Sequence, residues 1–324
     1  MQLNKGRKVE IIGRKDDYQS DFYEDAGRFA DAFNGALFGG RRVMKPEELE
    51  EADSVVTAAS DKGYGHRVIG DKIRKWRGRY VSLLVLENQS YVDYRMVLRT
   101  MRLELTGYEK QGRAAYEQGK GKARKPTSDE FLSKMYKGEK LTPIIILVLY
   151  MGKRPWDGAR SLYELLEIEE ELKPFISDHK LNLYDYHEHS DFSVFKTENR
   201  ALFEVLSCMD DRGKMAEMLR SSQIRFSQLD QESVKAIRGM TGAKFDLESI
   251  KWINEEGREV YNMCKAFEDN RLEGVREGIQ QGIQQGIRQN IKSLMKSLNI
   301  PLEEAMKLLK IPLEDKEKYK SLMQ

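Results

Sequence analysis

The first clear pattern of apolar positions predicts a helix over residues 20–40. The apolar residues recur at the spacing of one helix face: Phe22, Ala26, Phe29, Phe33 and Leu37. Ser20 or Asp21 is predicted to cap this helix, because short polar side chains bind the free amides of a first turn. The Gly39–Gly40 pair is predicted to end it.

Further along the chain, the apolar pattern changes to a period of two, which predicts a β-hairpin. Val68, Ile73 and Trp76 mark a first strand, and Gly78 marks the turn. Residues 81–86 (VSLLVL) form the second strand. Because this run is nearly continuous in apolar residues, it is typical of a strand that is covered on both faces.

Strands and helices then alternate, which predicts an α/β core. Residues 90–111 are predicted to form an amphipathic helix. Its predicted core positions are Met96, Leu98, Met101 and Leu105. A buried third strand is predicted at 141–152, a helix at 161–176 and a fourth strand at 181–189.

The other segments lack this alternation. Residues 110–140 are basic and rich in glycine with no sustained period, which predicts a long loop or insertion. Residues 192–266 are predicted to be helical throughout, and 274–291 carry a glycine every fourth residue. That stripe indicates either close approach of two helices or a flexible tether, because glycines destabilise a lone helix. Short helices broken at Pro301 and Pro312 are predicted to follow.

These patterns divide the chain into three predicted parts. Residues 1–191 form the α/β core with its basic insertion, residues 192–266 form a helical region, and residues 267–324 form a glycine-repeat tail with a small helical module.

Composition narrows the class of protein. The 324 residues are 40% hydrophobic and 33% charged, with a net charge of only +2, so a nucleic-acid surface requires local clustering of cations. Cys208 and Cys264 lack a partner motif, which is typical of a reducing compartment. Residues 1–19 contain no apolar run of the length found in signal peptides, and the longest apolar run, 143–151, is too short to span a bilayer. We therefore expect a cytoplasmic protein with no membrane partner.

The predicted hairpin brings chemistry to one rim of the sheet. Asp71 opens its first strand and Glu87 closes its second, so antiparallel pairing places both carboxylates at the same end. Glu87 and Gln89 are two residues apart and project to the same face. Two carboxylates and an amide are hard oxygen ligands of the kind that Mg²⁺ prefers. The simpler interpretation is that these are solvated acids at strand ends. For the first acid of the metal site, Asp53 is the alternative to Asp71, and Asp61 lies between these two in the sequence.

Two further groups of residues are candidates. Arg99 and Arg102 lie three apart on the predicted helix after Glu87, where they can face a phosphate. Ordinary surface arginines are the alternative. His187 and His189 share a face of the fourth strand and could bind a transition metal, although an exposed strand end is the favoured interpretation.

The segment VLENQSYVDYRMVLRTMRL resembles the recombination-promoting nuclease family, whose members are also called putative transposases, within the PD-(D/E)XK nuclease superfamily. The resemblance continues through PIIILVLYMGKRPW and through the Gly-Ile repeats of the tail. It implies a restriction-endonuclease-like core, a mixed sheet flanked by helices, followed by an α-helical C-terminal region. It also implies a DNA endonuclease that uses a divalent metal, most simply Mg²⁺, with Mn²⁺ or Ca²⁺ as alternatives.

Carried onto this sequence, the resemblance implies Asp71 and Glu87 as metal ligands and Asp31 as an accessory acid, with a solvated helix carboxylate as the alternative for Asp31. Gln89 stands where most enzymes of the superfamily have lysine, so it can orient water but brings no positive charge. Cutting both strands of DNA requires two sites, so we expect a homodimer. The rival hypothesis is a DNA-binding or self-associating protein whose nuclease fold has lost catalysis.

Overall fold

A computed structural model describes residues 21–52, 72–86, 92–119, 125–312, 314 and 319. The main sheet has five strands in the order β1–β2–β3–β4–β5. These strands are β1 Leu49–Glu51, β2 Lys72–Trp76, β3 Arg79–Leu86, β4 Ile144–Tyr150 and β5 Asn182–Asp185. β1, β2 and β3 pair antiparallel, whereas β3, β4 and β5 pair parallel. The protein therefore has a mixed α/β fold, as the alternation of strands and helices predicts.

The chain divides into two units. The first runs to Ala243 and includes Lys251–Asn262, and the second comprises Lys244–Ile250 and the residues from Met263 onward. The three-part division drawn from the sequence stays a prediction.

Helix α1 (Ala26–Phe38) covers most of the helix that the sequence predicts. Asp21 and Phe22 are also helical, and a turn at residues 23–25 separates them from α1. Asp25 caps it by accepting a hydrogen bond from the Arg28 amide at 2.8 Å. Asp25 therefore takes the place of the predicted Asp21, because a cap must reach the amides of the turn that follows it. The other predicted cap, Ser20, lies outside the described residues. Gly39 ends α1 as predicted, in the left-handed conformation at φ +60°.

β2 and β3 form the predicted hairpin, whereas Val68, which the sequence assigns to its first strand, lies outside the described residues. Arg77 and Gly78 make its two-residue turn with φ values of +48° and +72°. Positive φ at both positions is typical of the tight turn whose twist matches that of the paired strands. Glu48 holds this turn in place, because its carboxylate accepts hydrogen bonds from Trp76 Nε1 at 2.9 Å and from the Arg77 guanidinium at 2.7 Å.

β4 is the buried strand that the sequence predicts, and helix α2 (Met96–Gly119) packs against it. Their shared core comprises Val92, Met96, Ile146, Val148, Tyr150 and Trp156. α2 connects β3 to its parallel neighbour β4, which is the crossover that parallel strands require.

The face of α2 that meets the sheet differs from the predicted one. Met96 is buried, but Leu98 and Leu105 are 49% and 61% exposed. The buried face contains Gly107, where an added Cβ would lie 2.3 Å from Ile144 Cδ1. The prediction of Leu98 and Leu105 as core was wrong, because this close approach is set by a glycine, which an apolar pattern does not reveal.

The predicted long loop at 110–140 is also largely wrong. α2 continues to Gly119, and a second helix, α3, spans Ser128–Ser133 with a capping box between Thr127 and Glu130. Gln111 helps to hold the extension, because its side chain exchanges hydrogen bonds with the Thr142 backbone at 2.7 and 3.0 Å. Residues 120–124 lie outside the described residues.

Residues 161–176 form 3₁₀ turns, Tyr163–Leu165 and Glu170–Phe175, instead of the predicted helix. Pro174 lies inside the second turn, and Tyr163 Oη is 2.6 Å from the Ile176 carbonyl oxygen. The fourth strand is shorter than predicted, because β5 ends at Asp185 and a 3₁₀ turn follows.

The region after β5 contains the predicted helices but is not helical throughout. Its helices are α4 Asn199–Cys208, α5 Arg212–Ser221, α6 Gln223–Phe226 and α7 Gln231–Thr241. A hairpin of β6 (Lys251–Ile253) and β7 (Glu259–Tyr261) corrects the all-helical expectation. Its turn includes Gly257 at φ +74°, a conformation that glycine adopts without strain.

The second unit contains helices α8 (Leu247–Ile250), α9 (Met263–Leu298) and α10 (Leu302–Leu308). The four tail glycines lie within α9, so a continuous helix replaces the flexible tether of one interpretation. Ile291, Ala305, Met306 and Tyr319 form a separate small core. Pro301 precedes α10, as the predicted helix break requires. Across the described ranges, no helix is both long enough and apolar enough to cross a membrane.

Candidate functional site

The predicted metal site lies at the edge of the described structure. Asp71, Glu87 and Gln89, and the alternative acids Asp53 and Asp61, all lie outside the described residues. Their neighbours in the chain are described: Lys72 begins β2, and Leu86 ends β3. The structure therefore describes the strands that lead to these positions in the chain.

Three parallel strands end together at this edge of the sheet. Leu86 pairs with Tyr150, and Tyr150 pairs with Asp185, so the last residues of β3, β4 and β5 form one row. Lys72 pairs with Leu83, so β2 begins on the same side, three residues short of the end of β3. Ligands of α/β proteins bind beyond the carboxyl ends of parallel strands, which makes this edge the candidate site.

Among the acids of this edge that the structure describes, Asp185 is the most buried, with only 1% of its surface exposed. Its carboxylate accepts hydrogen bonds from the Trp156 amide at 2.7 Å and from the His187 amide at 3.1 Å. His187 Nδ1 lies 2.7 Å from the same carboxylate. These contacts replace the water that Asp185 loses on burial, as a buried charge requires.

The residues that follow Asp185 bind the loop that follows β4. The Tyr186 hydroxyl donates to the Gly152 carbonyl at 3.0 Å, and His187 Nε2 lies 3.3 Å from the Lys153 carbonyl oxygen. Together with the hydrogen bond that the Trp156 amide donates to Asp185, these contacts hold the loop at three points. We call this arrangement the β5 clamp, formed by Asp185, Tyr186 and His187.

The Tyr150 side chain packs against two residues of this loop, Gly152 and Trp156. Its ring packs edge-on against Trp156, with 5.1 Å between ring centroids. A Cβ at Gly152 would lie 2.2 Å from the Tyr150 hydroxyl, so only glycine fits there. Burial raises the pKa of Tyr150, and the nearby Asp185 charge adds to the rise. Burial and the same charge raise the pKa of Tyr186 to about 12, so both rings remain neutral at physiological pH.

The two predicted DNA-binding arginines lie on α2. Arg99 Nη1 is 3.5 Å from Asp93 Oδ2, and its side chain is 22% exposed. Arg102 is exposed one turn further along the helix. Arg99 is therefore already paired with Asp93, so a phosphate that binds Arg99 would have to displace the Asp93 carboxylate or share the guanidinium with it.

Asp31 lies in α1 and is 5% exposed, so it is not the solvated helix acid of the alternative interpretation. Its carboxylate accepts hydrogen bonds from the amides of Lys196 at 2.8 Å and Thr197 at 3.1 Å. The Thr197 hydroxyl and Asn199 Nδ2 add contacts of 2.7 and 3.3 Å. Asp31 thus joins α1 to the segment that leads into α4, and an accessory catalytic role for it stays a prediction.

The histidine pair does not share a strand face. His187 lies in the 3₁₀ turn after β5, whereas His189 stacks on Tyr184 with 4.5 Å between ring centroids. Within the ranges that the structure describes, no group of three or more His, Cys, Asp or Glu side chains could hold a metal ion. The residues that the sequence singles out as ligands lie outside those ranges.

Sequence reasoning missed the role of Asp185. The acid follows the apolar positions of β5 within LNLYDYHEH, and an acid that ends a strand beside aromatic residues was a usable signal. Its burial could not be deduced, because its partners include the Trp156 amide, which lies 29 residues away in the sequence.

Comparison with known proteins shows that the segment forming this edge of the sheet matches a protein family. Residues 72–236 match the family described as "Putative transposase, YhgA-like". The match covers half of the chain and contains β2 to β5, the clamped loop and helices α4 to α6. No curated protein and no solved structure matches the chain. The chain belongs to the YhgA-like transposase family.

Proposed function

We propose that this protein is a metal-dependent DNA endonuclease of the PD-(D/E)XK type. The observation that carries the proposal is the row of strand ends formed by Leu86, Tyr150 and Asp185. Glu87-Asn88-Gln89 follows this row directly in the chain, within the segment that matches a transposase family. Family membership supports DNA as the substrate, and the motif supports hydrolysis.

The donor set of the candidate site suits a divalent metal. Asp71 and Glu87 supply carboxylates, and Gln89 supplies an amide oxygen, which are the hard ligands that Mg²⁺ takes in phosphoryl chemistry. Mn²⁺ and Ca²⁺ accept the same oxygens. When bound, the ion would lower the pKa of a water and stabilise charge on the scissile phosphate.

The chain's own residues have separate roles in this proposal. Asp71 and Glu87 hold the ion, Gln89 orients the attacking water by hydrogen bonding, and Arg99 binds a phosphate. A homodimer would supply the two sites that a double-strand cut requires.

The test is incubation of supercoiled plasmid with the purified protein and Mg²⁺ or Mn²⁺. Nicking or linearisation should require the metal and be lost in Glu87→Ala and in EDTA. The matched control is Glu50→Ala, which removes an exposed acid from β1 and should cut like the wild type. Unchanged cleavage by folded Glu87→Ala would refute the proposed site.

The absence of lysine at Gln89 favours one rival, a nuclease fold that binds DNA without cutting it. This rival predicts a shift in DNA mobility with no cleavage in any divalent ion.

A further inference from the structure

The loop between β4 and Trp156 carries two adjacent cations, Lys153 and Arg154, and both side chains are exposed. In the described part of the chain, neither side chain makes an ion pair or a side-chain hydrogen bond. Other arginines near this edge differ, since Arg160 pairs with Glu188 and Arg99 pairs with Asp93. Lys153 and Arg154 therefore keep their full donor capacity.

The backbone that carries these cations is held in place. The β5 clamp binds Gly152 and Lys153 through their carbonyls and Trp156 through its amide. Pro155 lies between Arg154 and Trp156 and fixes its own φ. A ligand that binds Lys153 and Arg154 would thus order only two side chains and no backbone, which reduces the entropic cost of binding.

The position of the loop indicates what it binds. Tyr150 pairs with Leu86, so the loop starts at the strand next to the one that leads into Glu87, about 4.8 Å away. Lys153 and Arg154 follow Tyr150, the last residue of β4, by only three and four residues, so the loop that carries them begins at the strand end. Arginine and lysine together suit phosphate oxygens, arginine as a bidentate fork and lysine as a point charge.

We propose that Lys153 and Arg154 form a binding site for the phosphate backbone of DNA at the carboxyl end of β4. This inference rests on the proposed function, because it places a backbone contact beside the proposed cleavage site. The site contacts phosphates without reading sequence, and it brings to this edge the positive charge that Gln89 does not supply.

The salt dependence of DNA binding tests the inference. A fluorescent random-sequence 30-base-pair duplex is titrated with protein in EDTA, which prevents cleavage, at several salt concentrations. Each phosphate contact adds about 0.9 to the slope of log K against log salt, so Lys153→Ala/Arg154→Ala should lower the slope by about 1.8. Between 50 and 200 mM salt, the wild type should lose about 12-fold more affinity than this variant.

The matched control is Lys137→Ala/Lys140→Ala. It removes the same charge from two exposed lysines that precede β4, at the other end of the strand. Its slope should equal that of the wild type, and Arg154→Lys alone should keep the slope because it keeps the charge. Circular dichroism should show that all variants are folded, as expected for exposed side chains. An unchanged slope in the Lys153/Arg154 variant, or an equal fall in the control, would overturn the inference.

The plasmid assay separates this inference from the proposed function. Cleavage by the wild type with an unchanged slope in the variant would leave the endonuclease standing and remove the phosphate site. A reduced slope without cleavage would support the site on a protein that binds DNA but does not cut it. A wild type that neither binds nor cuts would refute both.

Discussion

Asp31 offers the sharpest test of structure against catalysis, because its carboxylate has a described structural role. Asp31→Asn preserves shape but replaces one acceptor oxygen by an NH₂ donor. The Lys196 amide keeps its acceptor, at 2.8 Å in the wild type. The Thr197 amide, now 3.1 Å from the other oxygen, would face a donor and lose its bond.

The expected cost follows from these contacts. An amide left without an acceptor costs about 1–3 kcal/mol, and the surviving bond loses the charge that strengthens it. The Thr197 hydroxyl can rotate to accept, and Asn199 Nδ2 keeps its second partner, the Arg28 carbonyl at 2.8 Å. The total is about 3 kcal/mol, which corresponds to a fall in melting temperature of about 6–12 °C.

Differential scanning calorimetry of the wild type and Asp31→Asn measures this loss. The control is Asp21→Asn, the same change at an exposed acid, which should shift stability by less than about 0.5 kcal/mol. Plasmid cleavage below both melting temperatures completes the comparison. If Asp31→Asn melts like the wild type and has lost metal-dependent cleavage, Asp31 is an accessory acid and its structural role has been misjudged.

Three further results are expected. Gly152→Ala should lower the free energy of unfolding by about 1–3 kcal/mol, and with it the urea midpoint, because the added Cβ would overlap Tyr150. An unchanged midpoint would contradict this packing. Hydrogen bonds to Arg77 and Trp76 lower the pKa of Glu48 from 4.5 to about 2, so its contribution to stability is complete above pH 4.5 and lost as pH falls towards 2. The melting temperatures of Glu48→Gln and the wild type should therefore converge in acid; a constant difference would exclude this linkage. Burial raises the pKa of Glu104, so the free energy of unfolding should fall as pH rises from 4.5 through the raised pKa. Glu104→Gln stays neutral and should therefore have a higher melting temperature than the wild type at pH 7.

The sequence predicted the strands best where local chemistry decides the structure. Gly78 fixed the turn of the β2–β3 hairpin, and the unbroken apolar run of β4 predicted its burial. The order of strands and helices was sufficient to predict an α/β sheet. None of these inferences needed to know which distant residues meet.

Predictions failed where distant contacts decide the structure. Leu98 and Leu105 have the spacing of a core face, but Gly107 turns another side of α2 towards the sheet. Residues 110–119 are helical although they lack a sustained apolar period, and contacts such as that of Gln111 with Thr142 hold them.

The candidate site was predictable as a motif and less so as a geometry. Glu87 and Gln89 stand out in the sequence, whereas the β5 clamp depends on hydrogen bonds that span about 30 residues. A single sequence carries no signal for such pairs, since the donors and acceptors include backbone groups that every residue possesses.

The parallel order of β3, β4 and β5 also determines when this edge is completed during synthesis. The β2–β3 hairpin closes through a two-residue turn, but β3 meets β4 only after α2 has been made, with Tyr80 pairing to Ile144. The loop after β4 can form its hydrogen bonds to the β5 clamp only after Asp185, some 35 residues later, has been synthesised. At ordinary rates of translation this delay lasts about 2–7 s. A ribosome that pauses within that interval exposes a nascent chain in which this edge of the sheet is unfinished, so the proposed nuclease would stay inactive until β5 has emerged.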